Sequence, residues 1–84
     1  MGWTWSNLDE VLDAWLATEP TPAVQLAVFR ALTNLMEHPD VLHGEPVPGE
    51  RAPIRRVVVV GTEIIFLRAE GFRALRLLAI RPET

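Results

Sequence analysis

The residues that can do chemistry are concentrated in the arginine-rich second half of the chain. Cleavage of RNA by its own 2′-hydroxyl needs a base, an acid and cations that neutralise charge on the phosphorus. Arginines on or beside the apolar runs of this half can supply the cations: Arg56, Arg68, Arg73, Arg76 and Arg81. The candidate proton-transfer groups are His38, His43 and Glu63. Both histidines precede the apolar runs, so we predict that they serve as helix-capping or surface groups instead.

Cofactor and metal chemistry have no support in the sequence. The chain has no cysteine, which excludes disulfides and thiolate metal sites and is typical of a reducing compartment. It contains no glycine-rich phosphate loop, nucleophile elbow or dinucleotide fingerprint. His38 and His43 lie in a segment without a recognised metal-ligand spacing. We therefore predict no cofactor and no metal.

The charge is divided unevenly between the two halves of the chain. Residues 1–45 carry one arginine and seven acidic residues, whereas residues 46–84 carry seven arginines and four acidic residues. All eight basic residues are arginine. One interpretation is a GC-rich gene. The other is a basic surface in the second half that binds phosphate or carboxylate groups, for which the arginine fork is suited.

Length and hydropathy predict a single domain covering residues 1–84. Hydrophobic residues make up 49% of the chain, as in a globular protein. No apolar run approaches the ~20 residues that span a bilayer, and the first residues lack the basic and apolar regions of a signal peptide. We predict a cytoplasmic protein that does not bind membranes.

A helical hairpin is predicted over residues 7–38. Apolar residues with helical spacing run from Leu8 to Leu16, and Ser6 is the expected N-cap. A second helix is expected over Val24–Met36. Thr21-Pro22 provides its cap and first position, and His38-Pro39 ends it.

Residues 39–53 are rich in proline and glycine and are predicted to form a loop. Residues 54–81 then contain three β-branched and aliphatic runs separated by Gly61-Thr62 and Ala69-Glu70-Gly71, which predicts an antiparallel meander. The fold class is therefore α+β: a two-layer domain in the order (β)ααβββ, with the helical hairpin packed on one face of the meander. The optional first strand is Gly2–Trp5.

The meander strands carry apolar residues at both phases, so we expect an apolar surface on each face of the sheet. Strict alternation places Leu78 and Ile80 opposite Leu75 and Leu77. Two helices cover one face, so the other is expected to bind a partner or form a homodimer. The predicted partner-binding residues are Arg56, Arg73, Leu75, Leu77 and Arg81.

For several side chains the sequence allows two interpretations. Arg76 either pairs with Glu63 across the sheet or binds a ligand. Of the Arg55-Arg56 doublet, one residue faces solvent and the other can meet a partner. Trp15 belongs to the helical stripe and is predicted to be core. The remaining tryptophans, Trp3 and Trp5, either stack on bases or pack under the helices.

This order of elements resembles the RelE/ParE toxin superfamily over most of the chain, from Ser6 to Pro82. The residues that carry the resemblance are the Thr-Pro start of the second helix, the Leu35-Met36-Glu37-His38-Pro39 exit, the Gly/Pro loop, and Arg56 entering the meander. The block Gly61-Thr62-Glu63-Ile64-Ile65-Phe66 is similar to the family's glycine-hydrophobic-aromatic strand, and Leu75–Ile80 to its closing strand.

The resemblance implies a toxin of a bacterial type II toxin–antitoxin pair, neutralised by an antitoxin segment. Such toxins either cleave mRNA on the ribosome or inhibit DNA gyrase. The cleaving branch uses Arg and Lys with a Tyr or His near the C-terminus, whereas this chain has no Tyr, no Lys and no His in the meander. Only Arg56 and Arg81 remain as catalytic candidates, and we predict little or no ribonuclease activity. The alternatives are a non-toxic interaction module of the same fold and a ribosome-dependent endoribonuclease with an arginine-based site.

Overall fold

The computed structural model describes residues 2–83 and forms two layers, a pair of helices on one face of a five-stranded sheet. The class predicted from the sequence, α+β, is confirmed. The elements in chain order are β1 (Thr4–Ser6), α1 (Leu8–Leu16), α2 (Pro22–Glu37), β2 (Glu45–Pro46), β3 (Ile54–Val59), β4 (Thr62–Ala69), a 3-10 turn (Glu70–Phe72) and β5 (Ala74–Pro82).

The helices begin and end close to where their residues predict. In α2 the Thr21 hydroxyl accepts a hydrogen bond from the Val24 amide at 3.4 Å, and His38 is the C-terminal cap, as expected. The prediction that Ser6 caps α1 is wrong. Ser6 stays in β1 opposite Arg76, so the chain turns at Asn7 in the left-handed region (φ 61°), which asparagine tolerates.

The sheet has the order β1-β5-β4-β3-β2 and is mixed. The predicted meander is present, with β3, β4 and β5 antiparallel, and β1 adds to β5 in parallel. Helix α1 lies against β5, while α2 lies against β3 and β4. None of the helices within residues 2–83 is long and apolar enough to cross a membrane.

Strand β2 lies inside the segment predicted to be only a loop. Glu45 and Pro46 pair with Arg56 and Arg55 of β3. The backbone at Gly44 has a φ of +65° and passes so close to the Arg56 carbonyl that any Cβ there would overlap it. Only glycine fits this approach, which explains its presence before β2.

A β-bulge at Leu78 shifts the phase of β5. Phe66 is opposite Leu77 and Ile65 is opposite Ala79, so Leu78 has no partner on β4. Ile80 therefore returns to the face that Leu77 occupies, and the prediction that Ile80 opposes Leu77 is wrong. Leu78 is exposed (37%).

The core lies between the helices and the inner face of the sheet. Its buried members are Trp15, Val28, Leu32, Leu35, Ile64, Phe66, Leu75, Leu77 and Ile80. Leu75 and Leu77 are 2% and 0% exposed, so their predicted role in partner binding is corrected to a core role. The physical reason is that the helices bury the phase of β5 that these two leucines share, leaving no surface for a partner to contact.

Candidate interaction surface on the open sheet face

The sheet face opposite the helices has no covering layer among residues 2–83, and we call it the open sheet face. Because Ile64 and Phe66 point into the core, the residues between and after them point outward. Its apolar side chains are Ile54, Val58, Ile65 and Leu67. Its charged side chains are Arg56, Glu63, Arg76 and Arg81. This surface therefore combines apolar side chains with cationic ones.

Glu63 organises the charged part of the open sheet face. It lies on β4 directly opposite Arg81 of β5 and is only 6% exposed. Its Oε1 accepts from Arg81 Nε at 2.5 Å, and its Oε2 lies 3.5 Å from Arg56 Nη1. Arg56 Nη2 also reaches Glu45 of β2 at 3.4 Å. The two catalytic candidates from the sequence, Arg56 and Arg81, thus share one carboxylate.

The arginines hold Glu63 in its ionised form. The hydrogen bond from Arg81 is the largest influence and lowers the pKa of the Glu63 carboxyl; burial opposes it, and the charges of Arg81 and Arg56 with the Arg56 hydrogen bond lower the pKa further. Both carboxylate oxygens are engaged by guanidinium groups. Glu63 is therefore suited to positioning the arginines and poorly suited to accepting a proton from a substrate.

Because of this cluster, the free energy of unfolding is expected to decrease as the pH becomes acidic. Because the pKa of Glu63 is lower in the folded chain than in the unfolded chain, its contribution is present above the ordinary value of 4.5 and is lost as the pH falls through the folded value. We expect Glu63→Gln to lower the free energy of unfolding at pH 7 and to make the decline on the acid side shallower. Urea unfolding between about pH 7 and about pH 3 measures both effects.

The matched control for that experiment is Glu50→Gln, which removes an exposed carboxylate in the loop before β3. It should leave the acid-side decline as in the parent chain. Equal slopes for the parent, Glu50→Gln and Glu63→Gln would show that the two arginines do not depress the Glu63 pKa.

Arg76 does not pair with Glu63. The register sets Arg76 beside Leu67, far along β5 from Arg81. The Asn7 side-chain amide, oriented with its oxygen toward Arg76, accepts from Nε at 3.1 Å and from Nη2 at 2.7 Å. Arg76 and Arg81 share the open sheet face because the bulge at Leu78 moves Arg81 to it, whereas strict alternation places Arg81 with Leu75 and Leu77.

Arg73 lies outside the Arg56–Arg81 cluster. It adopts the left-handed conformation (φ 49°) just before β5. There it lines a cavity of about 530 Å³ together with Trp3, Asp40, Arg68 and Glu70. Its predicted contact with a partner stays a prediction.

Arg68 is a structural residue whose role sequence reasoning did not assign. It is 4% exposed and lies on the helix side of β4. Its guanidinium donates to the carbonyls of Pro39, Asp40 (3.2 Å) and Val41 (3.1 Å), and it lies 4.6 Å from the centre of the Trp3 ring. The usable signal was its phase, because residues 64, 66 and 68 share one face of a strand and an arginine there must be paired.

The tryptophan and histidine side chains act mainly in packing and capping. Trp15 is core, as predicted, and Trp3 and Trp5 pack partly buried against the core. His38 caps α2, and His43 Nε2 lies 2.7 Å from the His38 carbonyl oxygen. Within residues 2–83 neither histidine has a hydrogen bond or ion pair to the Glu63 cluster.

The Arg55-Arg56 doublet is divided between two roles. Arg55 donates to the carbonyls of His43 and Gly44 at 2.8 Å and so fastens the loop before β2. Arg56 points to the open sheet face. No three His, Cys, Asp or Glu side chains of residues 2–83 come together in a group that could hold a metal ion.

Comparison with protein-family models, curated proteins and solved structures finds no match to this chain. The class defined by the fold and its surface is a two-layer α+β domain with one sheet face left open. Its apolar strip and arginine–glutamate cluster are the features from which a function is argued.

Proposed function

We propose that this chain is a RelE/ParE-like toxin that acts by binding protein and is neutralised by an antitoxin segment covering the open sheet face. The observation that carries the proposal is the uncovered apolar strip of Ile54, Val58, Ile65 and Leu67. A patch of this kind on a small domain marks a site of association. The element order, with a short strand, two helices and a three-stranded meander, supports the choice of superfamily.

The charges beside the strip favour an acidic segment as the partner. Arg81 uses only its Nε for Glu63, and its side chain is 61% exposed. Its terminal nitrogens are not used in that bond and can donate to a carboxylate of the partner. Arg56 stands on the opposite side of the same carboxylate, so an acidic residue of the antitoxin meets two guanidinium groups.

The same geometry argues against ribonuclease activity. Arginine stays protonated and transfers protons poorly. Glu63 has both oxygens occupied, and the histidines are used in the helix cap and the loop. A missing general acid or base costs about 10²- to 10⁴-fold in rate.

The decisive experiment is induced expression in a bacterium, following growth, mRNA cleavage sites and DNA supercoiling together. We expect growth arrest with intact mRNA, a small antitoxin-like reading frame next to the gene, and rescue when the product of that frame is co-expressed. Ile65→Asp, on the open sheet face, should abolish binding of that product. Val60→Asp, at the exposed turn between β3 and β4, is the matched control and should bind normally.

Altered supercoiling during the arrest identifies a gyrase-type target. Absence of any growth effect rejects the toxin and leaves the non-toxic interaction module of the same fold.

One observation favours a second candidate, the ribosome-dependent nuclease: Arg56 and Arg81 meet at one carboxylate and so can stabilise charge together. That candidate requires codon-specific mRNA cuts that disappear in Arg81→Ala. Such cuts would overturn the prediction of little ribonuclease activity.

A further inference from the structure

The outer edge of β5 is paired along only part of its length. Strand β1 lies beside residues 74–76 of β5, whereas β5 continues to Pro82. Among residues 2–83 no other strand lies on that side, because β1 is the last strand of the sheet there. The second half of β5, residues 77–82, therefore has a free edge, which we call the β5 edge.

The backbone of Ile80 is directed outward at the β5 edge. The Glu83 amide donates to the Gly61 carbonyl at 2.8 Å. Arg81, two residues before Glu83, lies opposite Glu63. In an antiparallel ladder, residues that bond to the neighbouring strand alternate with residues whose N–H and C=O point away from it. Arg81 and Glu83 bond toward β4, so the N–H and C=O of Ile80 point to the β5 edge, where an additional strand can bond to them.

An apolar groove lies beside the β5 edge, between α1 and β5. Its volume is about 430 Å³. Leu78, the bulge residue, lines this groove and is 37% exposed, so an incoming side chain can contact it. The groove is also lined by Glu10, Val11, Ala14, Trp15 and Ile80.

The charge at the groove is negative. Among the described lining residues only Glu10 is charged, and it is exposed. Its carboxylate has no ion pair within residues 2–83. Asp9 and Asp13 lie on the same helix, and residues 1–29 contain no Lys, Arg or His. A basic side chain is therefore the complement that this wall of the groove lacks.

We propose that the β5 edge and its groove bind an extended segment of a partner protein, with an apolar side chain in the groove and a basic side chain beside Glu10. The segment continues the row of β1 and hydrogen-bonds to Ile80, which is recognition by strand addition. Alternate side chains of the segment face the groove, and those between them face the open side of the sheet. The inference goes beyond the proposed function because it concerns another surface and a basic partner instead of an acidic one.

A second copy of this chain is a less favourable occupant. Antiparallel pairing of two β5 edges about a twofold axis keeps both helical layers on the same side of the joined sheet. The two α1 helices then lie side by side, and Glu10 with its acidic neighbours approaches the same residues of the second copy. The bulge at Leu78 and Pro82, which has no N–H, also shorten the edge. These features favour a short segment over a long strand edge.

The test is an NMR titration of the whole protein with the capped peptide Lys-Thr-Val-Thr-Lys. Its valine fits the groove, and one of its lysines lies beside Glu10 in either direction of binding. We expect the amide resonances of Ile80 and Val11 to shift with peptide concentration, and the Ile80 amide hydrogen to exchange more slowly. The control peptide, Glu-Thr-Val-Thr-Glu, should bind at least about tenfold more weakly because it places like charges together.

Two variants test the groove and its charge separately, and circular dichroism should show that each is folded. Ala14→Trp fills the groove and should abolish binding, whereas Ala23→Trp, at an exposed alanine of α2, should bind as the parent does. Glu10→Lys should weaken binding of the lysine peptide at least about threefold and strengthen binding of the glutamate peptide. Its control is Glu37→Lys, at the exposed end of α2, which should change neither.

The inference would be overturned by a lysine peptide that causes no shifts, by equal binding of the two peptides, or by unchanged binding in Ala14→Trp. Dimerisation of the parent in sedimentation that Ala14→Trp abolishes would also overturn it, because a second copy then occupies the groove.

The proposed function is tested independently. Ile65→Asp, on the open sheet face, should still bind the lysine peptide, and Ala14→Trp should still be neutralised by the antitoxin. A protein that binds no peptide yet is rescued by the adjacent reading frame therefore loses the strand-addition site and keeps the proposed function.

Discussion

Leu77→Ala is expected to lower the free energy of unfolding by about 2–5 kcal/mol. Leu77 is 0% exposed, lies opposite Phe66, and belongs to the core beneath the helices. Removing its isobutyl group takes away buried apolar contact and leaves a cavity that a close-packed interior fills only partly. Small domains are stable by only about 5–15 kcal/mol, so the loss is a large fraction of the total. Urea unfolding followed by circular dichroism measures it.

The neighbouring residue provides the matched control. Leu78→Ala removes the same atoms from the exposed bulge and should cost much less than Leu77→Ala. If Leu77→Ala is too unstable to measure, Leu77→Val replaces it. Its loss of stability should be smaller than that of Leu77→Ala but still larger than that of Leu78→Ala. Equal losses at positions 77 and 78 would place the bulge elsewhere in β5.

Arg68→Met is expected to lower the free energy of unfolding by about 1–3 kcal/mol. The thioether fills the space of the arginine stem but donates nothing to the carbonyls of Pro39, Asp40 and Val41. The acceptors are only partly buried, since Asp40 and Val41 are exposed residues, so water replaces part of the lost hydrogen bonding and the cost lies within the range for unsatisfied groups, about 1–3 kcal/mol. The loop after α2 should also exchange its amide hydrogens faster, which a merely smaller core does not predict.

Two further variants separate the hydrogen bonds of Arg68 from its charge. Arg68→Lys keeps the cation but lacks the planar fork, so it should be intermediate in stability. Arg30→Met removes an exposed arginine of α2 and should have little effect. If Arg68→Met and Arg30→Met were equally mild, the anchoring of the loop after α2 would have to lie elsewhere.

The helices and the meander were predictable because their signals are local. Leu8 to Leu16 repeats with helical spacing, and Thr21-Pro22 starts a helix through a side-chain bond and a preset backbone angle. The strands β3, β4 and β5 follow from β-branched runs separated by short turns. In these segments the residues that determine the structure are near one another along the chain.

The candidate site was predictable only in part. Arg56 and Arg81 were identified as charged side chains of the meander, but their meeting at Glu63 depends on which residues of β3, β4 and β5 lie side by side. The sequence suggested Arg76 as the partner of Glu63. The pairing register, which no single strand specifies, gives that place to Arg81 instead.

The assignment of Leu75 and Leu77 to a partner surface failed for a related reason. Every strand of the meander is apolar at both phases, so alternation alone does not identify the face that the helices cover. The helices bury the face with Phe66, Leu77 and Ile80. A choice between two apolar faces is made by the packing of a whole layer.

The sequence by itself determined the class of the domain, both helices, the meander and the uneven charge of the two halves, since each follows from composition or from short-range spacing. Only the tertiary structure decided the parallel pairing of β1, the two-residue β2, the bulge at Leu78 and the burial of Arg68. These features satisfy backbone and side-chain groups that are distant in the chain, such as Arg68 and the carbonyl of Asp40. Their energies depend on which surfaces meet in three dimensions, and a one-dimensional pattern does not contain that information.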